Sequence, residues 1–253
     1  MSLHVEVFGA GPPLVLLHGW GLHSGVWEDL RPLLATRARV HAIDLPGHGR
    51  SAGVVAASFD DAVDAVARVL PDAAVTCGWS LGGLFAQRLA RRHPGHVRKL
   101  ALVATTPCFT QRVDWRPAMK PSTLEQFTTA LAVDRDTMLK RFVALNAMHS
   151  GHGGEAVRAF TKRLLARDAP SDAGLAAALG WMREVDLRQD AARLGQPAVV
   201  LHGARDMLAP VGAGRWLAAT LRDARLVELA DAAHMPFFSH PAAFVAAVDA
   251  LLG

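Results

Sequence analysis

The stretch Gly78-Trp79-Ser80-Leu81-Gly82 sets one serine between two glycines, with the apolar run AVTCGW leading in and the helical pattern LGGLFAQRLARR leading out. A serine that attacks a carbonyl carbon needs this arrangement. Small residues two before and two after it let a strand and a helix cross closely, and the Oγ then projects from a strained turn. The N–H of the next residue faces the oxyanion that develops. Gly83 extends the permissive stretch. An ordinary strand-to-helix turn with a solvated serine would carry similar glycines, so the partners must decide.

A serine hydroxyl is a weak nucleophile until a base removes its proton. Twelve histidines compete for that role. In an open α/β sheet with such a turn, the acid follows a late strand and the histidine sits on a still later loop. In LHGARDMLAP, Asp206 lies just beyond the apolar run AVVLHG; in DAAHMPFFSHP, His234 falls between the last strand and the last helix. These make Ser80, Asp206 and His234 the candidate catalytic set. The other polar residues fit less well. His240 precedes a proline at a helix start, Glu228 lies within a strand pattern, and Asp186 and Asp190 lie in a helical stretch. His202 ends a strand and reads as core. His149 and His152 flank Ser150-Gly151, but no third ligand stands at usual metal spacing, so no metal is expected.

The oxyanion needs a second donor. The loop after the early apolar run LVLLH reads His18-Gly19-Trp20-Gly21, where a tight turn at Gly19 can face the Trp20 N–H toward the serine. Trp20 and Leu81 are therefore the expected pair, through their backbone N–H groups.

The elements that must hold these residues are legible from periodicity. LVLLH, VHAID, AVTCGW, KLALVAT, PAVVLHG and ARLVEL are strand-like runs, mostly continuous as in strands buried on both faces. Helical patterns lie between them: VWEDLRPLLA, FDDAVDAVARVL, LGGLFAQRLARR, a segment near Val211–Leu221, and PAAFVAAVDALL. This alternation implies an α/β fold with a mostly parallel twisted sheet flanked by helices. From 112 to 193 the pattern is helical throughout with no convincing strand. The expected organisation is a core in two parts, 1–111 and 194–253, with a helical lid, 112–193, inserted before the late strands.

Composition narrows the class. Half of the 253 residues are hydrophobic, enough for a large core. The net charge is +4, but the arginines are dispersed rather than blocked beside aromatics, which disfavours nucleic-acid binding. No apolar stretch reaches the ~18 residues of a membrane span. The opening MSLHVEVFGAGPPLVLLHG does not read as a signal peptide, and two cysteines, Cys77 and Cys108, make no disulfide scaffold. The default expectation is a cytoplasmic protein.

Together HGWG, DLPGHGRS, GWSLGG, the late Asp and the late His resemble the α/β-hydrolase superfamily over nearly the whole chain. Ser rather than Asp at the nucleophile disfavours dehalogenase and epoxide-hydrolase chemistry. LHGWGLHSGVW, IDLPGHGRS, GWSLGGLFA, RFVALNAM, VDLRQD and AAHMPFFSHP are, together, similar to the pimeloyl-acyl-carrier-protein methyl ester esterases of biotin synthesis. That resemblance implies a monomeric cytoplasmic serine esterase without a cofactor. It implies substrate contacts at Trp20, Ser80, Leu81, Phe142, Val143, Ala144, Leu145, Asn146 and His234. Asn146 stands where the family usually has Gln, and HSGHGG, 149–154, departs from its pattern.

The partner so implied is an acidic acyl-carrier protein. Arg158, Lys162 and Arg163, with Arg167 nearby, fall on one side of a helix by their spacing, Arg141 lies beside Phe142, and this basic lid face could dock it. A solvated helix face would look the same. A general short-chain carboxylesterase or C–C hydrolase shares every motif, and a hydrolase-fold binding protein with little turnover is the alternative from another class.

Overall fold

The structure, a computed structural model, describes residues 2–147, 154–166 and 168–253. Seven strands form one sheet: β1 (Val5–Phe8), β2 (Pro13–Leu17), β3 (Arg39–Ile43), β4 (Ala74–Trp79), β5 (Val97–Val103), β6 (Ala198–Gly203) and β7 (Ala224–Leu229). Their order is β1-β3-β2-β4-β5-β6-β7, with β1 antiparallel to β3 and every other pair parallel. The chain runs outward from β2 to β3, then returns to β4 and builds in the other direction. The switch point therefore lies between β2 and β4, at whose carboxyl ends open α/β sheets bind ligands.

The helices are α1 (Arg31–Leu34), α2 (Phe59–Ala67), α3 (Leu81–Arg92), α4 (Pro121–Val133), α5 (Arg135–Ala147), α6 (Gly154–Leu165), α7 (Asp172–Glu184), α8 (Arg188–Ala191), α9 (Val211–Thr220), α10 (Pro236–Ser239) and α11 (Pro241–Leu252). Alternate side chains of each inner strand enter opposite cores. Val15 and Leu17 pack with α2 and α3, whereas Leu14 and Leu16 pack with α11. Ser58 starts α2 by accepting from the Asp61 N–H, with Asp60 and Asp61 in its first turn, where carboxylates complement the helix dipole.

Three expectations shift. The VWEDLRPLLA segment is a 3-10 turn, Ser24–Leu30, followed by the single turn of α1. The short edge strand β1 has no counterpart among the expected runs. The stretch expected to be helical from 112 becomes so only at Pro121. Before it, the chain forms an irregular loop closed by bonds from Met119 N–H to Phe109 O and from Arg112 N–H to Trp115 O. Pro117 and Pro121 withdraw donors there and bias their predecessors away from helix. Beyond it, α4 to α8 lie between β5 and β6 in the chain, and α5 and α7 contact Trp20 in the loop after β2.

Candidate active site

Ser80 stands between the end of β4 and the start of α3, in the strained conformation φ 55°, ψ −121°. A non-glycine residue there costs about 1–3 kcal/mol and persists only if its surroundings over-determine it. They do. Its N–H bonds to Val103 O at 3.0 Å, and its carbonyl accepts from Gly83 N–H at 2.9 Å and from Thr105 Oγ1 at 2.7 Å. Gly82 allows the crossing: a Cβ there would lie 2.3 Å from Leu17 O, so α3 begins directly against the end of β2.

His234 Nε2 lies 2.9 Å from Ser80 Oγ, and its Nδ1 lies 2.8 Å from Asp206 Oδ2. Asp206, as a carboxylate, only accepts, so Nδ1 carries the proton and the Nε2 lone pair faces the serine hydroxyl. The other carboxylate oxygen, Oδ1, accepts from the N–H groups of Leu208 and Ala209, both at 2.9 Å, which fixes the rotation of the group. Ser80, Asp206 and His234 are 2%, 4% and 2% exposed, so the interactions among them are little screened by solvent. The spacing meets the hydrogen-bond reach a nucleophile, base and orienting acid require.

Sequence reasoning did not single out Trp79 as a support of the base. Its indole N–H donates to His234 O at 2.7 Å, and its ring packs against the imidazole with centroids 5.6 Å apart. Nothing in the motif reveals this, because the position between Gly78 and Ser80 accepts many residues. His202 is core, as read: its Nε2–H donates to Ala209 O at 2.6 Å and so steadies the turn that carries Asp206. His240 bonds Ser239 and Asp231, Glu228 pairs with Arg215, Asp186 with Arg188, and Asp190 with Arg88.

The loop after β2 meets the serine closely. A Cβ on Gly19 would come within 3.2 Å of Ser80 Cβ and 2.9 Å of the Trp79 ring. Among the described residues, no backbone or side-chain acceptor takes the N–H of Trp20 or of Leu81. Both residues are buried, Trp20 at 1% and Leu81 at 0% exposure.

Two of the helices between β5 and β6 bear on Trp20 directly and a third stands behind them. Its indole N–H donates to Leu175 O in α7 at 3.0 Å, and its ring meets Phe142 of α5 edge-on at 5.0 Å, behind which stands Phe127 of α4. Of the segment implied to contact substrate, Phe142 is thus beside the site. Val143 turns into the opposite core, Ala144 is half-buried, and Asn146 is buried with its Nδ2–H on Phe142 O. The Leu145 side chain, and His149, His152 and Arg167, lie outside the described residues. Arg141, Arg158, Lys162 and Arg163 are all exposed, and Arg163 also pairs at 2.5 Å with the exposed Asp29 of the 3-10 turn.

Behind the loop that follows β2 lies a buried polar layer. His18 Nδ1–H donates to Gly19 O at 2.8 Å and its Nε2 accepts from Leu45 N–H. Burial, with His48 adjacent, lowers its pKa to about 3. Burial likewise lowers His48 to about 4, and its Nδ1–H is held by Pro46 O. Cys77 is buried in β4, and burial pushes its thiol well above the usual range, so it is no rival nucleophile. Among the described residues there is no group of three or more His, Cys, Asp or Glu that could hold a metal ion, and no helix long and apolar enough to cross a membrane.

A mostly parallel sheet with a strained serine at its switch point, a late histidine and a late acid defines a hydrolase of the α/β type. Residues 12–241 match the family described as alpha/beta hydrolase fold, and the chain belongs to that family. It is 42% identical, over 99% of both chains, to the pimeloyl-(acyl-carrier protein) methyl ester esterase of Nitrosomonas europaea. It is 44% identical to the protein of that name from Chromobacterium violaceum, over 98% of this chain and 97% of the relative. Among solved structures it is similar to an esterase from Exiguobacterium antarcticum, with TM-score 0.89 and 23% identity over 99% of this chain and 95% of the other. That likeness shows the fold.

Proposed function

We propose that this protein is a serine carboxylesterase that hydrolyses the methyl ester of pimeloyl-acyl-carrier protein, releasing methanol and the free carboxylate for biotin synthesis. The observation that carries the substrate is the 40–44% identity over essentially the whole chain to relatives named for that activity. The serine, histidine and aspartate at hydrogen-bonding distance support the chemistry.

The mechanism is two-step acyl transfer. Ser80 Oγ attacks the ester carbonyl carbon as its proton passes to His234 Nε2. Asp206 holds the imidazole's orientation and stabilises its cationic form. The N–H groups of Trp20 and Leu81 receive the oxyanion. When the tetrahedral intermediate collapses, the methoxy oxygen takes the proton from His234 and leaves as methanol. Water then gives a proton to His234 and attacks the acyl-enzyme, and the proton returns to Ser80 as the carboxylate is released. The Trp20 and Phe142 rings wall the acyl chain. Trp181, which also lies in the lid, serves a different end: it packs on Phe59 and Phe85 and anchors α7 to the core.

The acyl-carrier protein docks on the lid through Arg141, Arg158 and Lys162; Arg163 contributes less, because Asp29 already neutralises it. The test compares hydrolysis of the carrier-bound methyl ester with that of a small free methyl ester. A preference for the carrier-bound ester that falls at high salt and in an Arg158→Glu/Lys162→Glu variant is expected. Equal rates on both esters, insensitive to salt, would reduce the assignment to a general carboxylesterase.

A further inference from the structure

Both expected oxyanion donors belong to peptide groups whose carbonyls are gripped from behind by a buried side chain, and we propose that Thr105 and His18 are the positioning residues that aim them. The inference rests on the reading of Trp20 and Leu81 as the oxyanion donors. In a trans peptide the C=O of one residue and the N–H of the next lie in one plane and point in opposite directions, so holding the carbonyl sets the direction of the N–H.

The Leu81 N–H shares a plane with the Ser80 carbonyl. That oxygen accepts from Thr105 Oγ1 at 2.7 Å as well as from Gly83 N–H at 2.9 Å. The Trp20 N–H shares a plane with the Gly19 carbonyl, which accepts from His18 Nδ1 at 2.8 Å. His18 can give that proton and no other, because its Nε2 accepts from Leu45 N–H at 3.0 Å; both ring nitrogens are committed only in one neutral tautomer. Burial keeps the ring neutral, so the tautomer holds throughout the working pH range.

Thr105 is fully buried just past the end of β5, after Ala104, which itself has φ 44°. The backbone is thus turned sharply at this point to present the hydroxyl under the serine. The approach also accounts for the third glycine of GWSLGG. A Cβ on Gly83 would lie 2.3 Å from Thr105 Oγ1 and 2.5 Å from Thr105 Cβ, so only glycine leaves room for the threonine to reach the Ser80 carbonyl. The peptide that carries Leu81 is strained at Ser80, and without Thr105 its carbonyl keeps only the Gly83 N–H, so its plane is held by one bond in place of two. An oxyanion donor tilted out of line weakens the transition state more than the ground state, because the charge it meets is present only in the former.

The test is steady-state kinetics on the carrier-bound methyl ester with Thr105→Val and Thr105→Ser. Valine keeps the shape against Gly83 and removes the donor; serine keeps the donor. Thr105→Val is expected to lower kcat about tenfold or more with KM changed less than about twofold, and to weaken inhibition by an alkyl boronic acid, whose tetrahedral adduct uses the same donors, in parallel with kcat. Thr105→Ser is expected to retain kcat within about threefold.

An unchanged kcat in a folded Thr105→Val, or equal losses in both variants, overturns the inference. Should Thr105→Val fail to fold, the His18 pair decides. His18→Asn keeps a donor near the Nδ1 position, His18→Gln only a group near Nε2, and the Asn variant must retain the higher kcat; equal loss overturns the proposal. Ser80→Ala separates this from the functional reading: activity surviving in that variant would remove Ser80 as the nucleophile and with it the reading on which the inference rests, whereas a silent Thr105→Val beside a dead Ser80→Ala removes only the positioning role.

Discussion

Replacing Asp206 by Asn should inactivate the enzyme without weakening substrate binding, and the structure says why. The Oδ1 atom of Asp206 accepts two backbone N–H groups, from Leu208 and Ala209, each at 2.9 Å. An asparagine must leave its oxygen there, since turning its NH2 toward those two donors would set donor against donor in a buried site. The NH2 is then forced onto His234 Nδ1, which in the wild type gives its proton to Oδ2 at 2.8 Å. To accept from asparagine, Nδ1 must surrender its proton, and the neutral imidazole carries it on Nε2 instead. Nε2 then faces Ser80 Oγ as a donor and cannot take the serine proton. In serine proteases built on the same three groups the corresponding change costs about 10⁴ in kcat, or about 5 kcal/mol in the barrier. The same magnitude is expected here, because the carboxylate is buried and its second oxygen is committed to two backbone donors. KM should change little, since Asp206 lies behind the histidine. Steady-state hydrolysis of the carrier-bound methyl ester measures both. An Asp206→Asn enzyme with more than about a tenth of wild-type kcat would refute the tautomer argument, and with it the assignment of the acid.

Other consequences follow from the same geometry. Ser80→Gly should be more stable than Ser80→Ala by about 1 kcal/mol, or about 2–4 °C in Tm, because only glycine occupies φ 55° without strain; equal Tm values would show that the turn stores none. Gly82→Ala should lose about 3 kcal/mol or more, together with activity, since its Cβ would lie 2.3 Å from a backbone oxygen of β2; a stable, active variant in chemical denaturation would contradict the close crossing. Acid should destabilise the fold before the carboxylates titrate. His18 and His48 have pKa values of about 3 and about 4 when folded, below the ~6.5 of an unfolded histidine, so the unfolded chain takes up protons first as the pH falls. Stability therefore declines below about pH 6.5 by about 1.4 kcal/mol per pH unit for each histidine, and His48→Gln should flatten the slope by one such increment; urea unfolding between pH 7 and pH 5 that shows no slope would contradict their buried neutral state.

The parts of this fold that were legible in the sequence are those whose pattern is local. AVTCGW and ARLVEL match β4 and β7 to the residue, and LGGLFAQRLARR is α3, because apolar runs and glycine punctuation mark such elements directly. Edge strand β1 was not, since four residues, three half-buried and Val7 exposed, carry little periodicity, and they pair antiparallel with β3, about 30 residues further along the chain. The loop between β5 and α4 looked helical by spacing, but its bonds are set by two prolines and by the packing of Trp115 on Cys108 and Trp216. In the site, Ser80, Asp206 and His234 stood out because each follows a strand at a fixed short offset. Trp79 and Thr105 did not, because what they do depends on contacts across 155 and 25 residues of chain, which no motif encodes.

The most direct test of the central claim is the mass of the carrier after reaction. Pimeloyl-acyl-carrier protein methyl ester offers two acyl bonds, the terminal methyl ester and the thioester to the carrier. Attack by Ser80 on the ester releases methanol and, after hydrolysis, leaves the carrier lighter by one methylene with its thioester intact. The account predicts that product with wild-type enzyme and unchanged substrate with Ser80→Ala. Free carrier thiol and monomethyl pimelate, or the methylene loss persisting in Ser80→Ala, would contradict it.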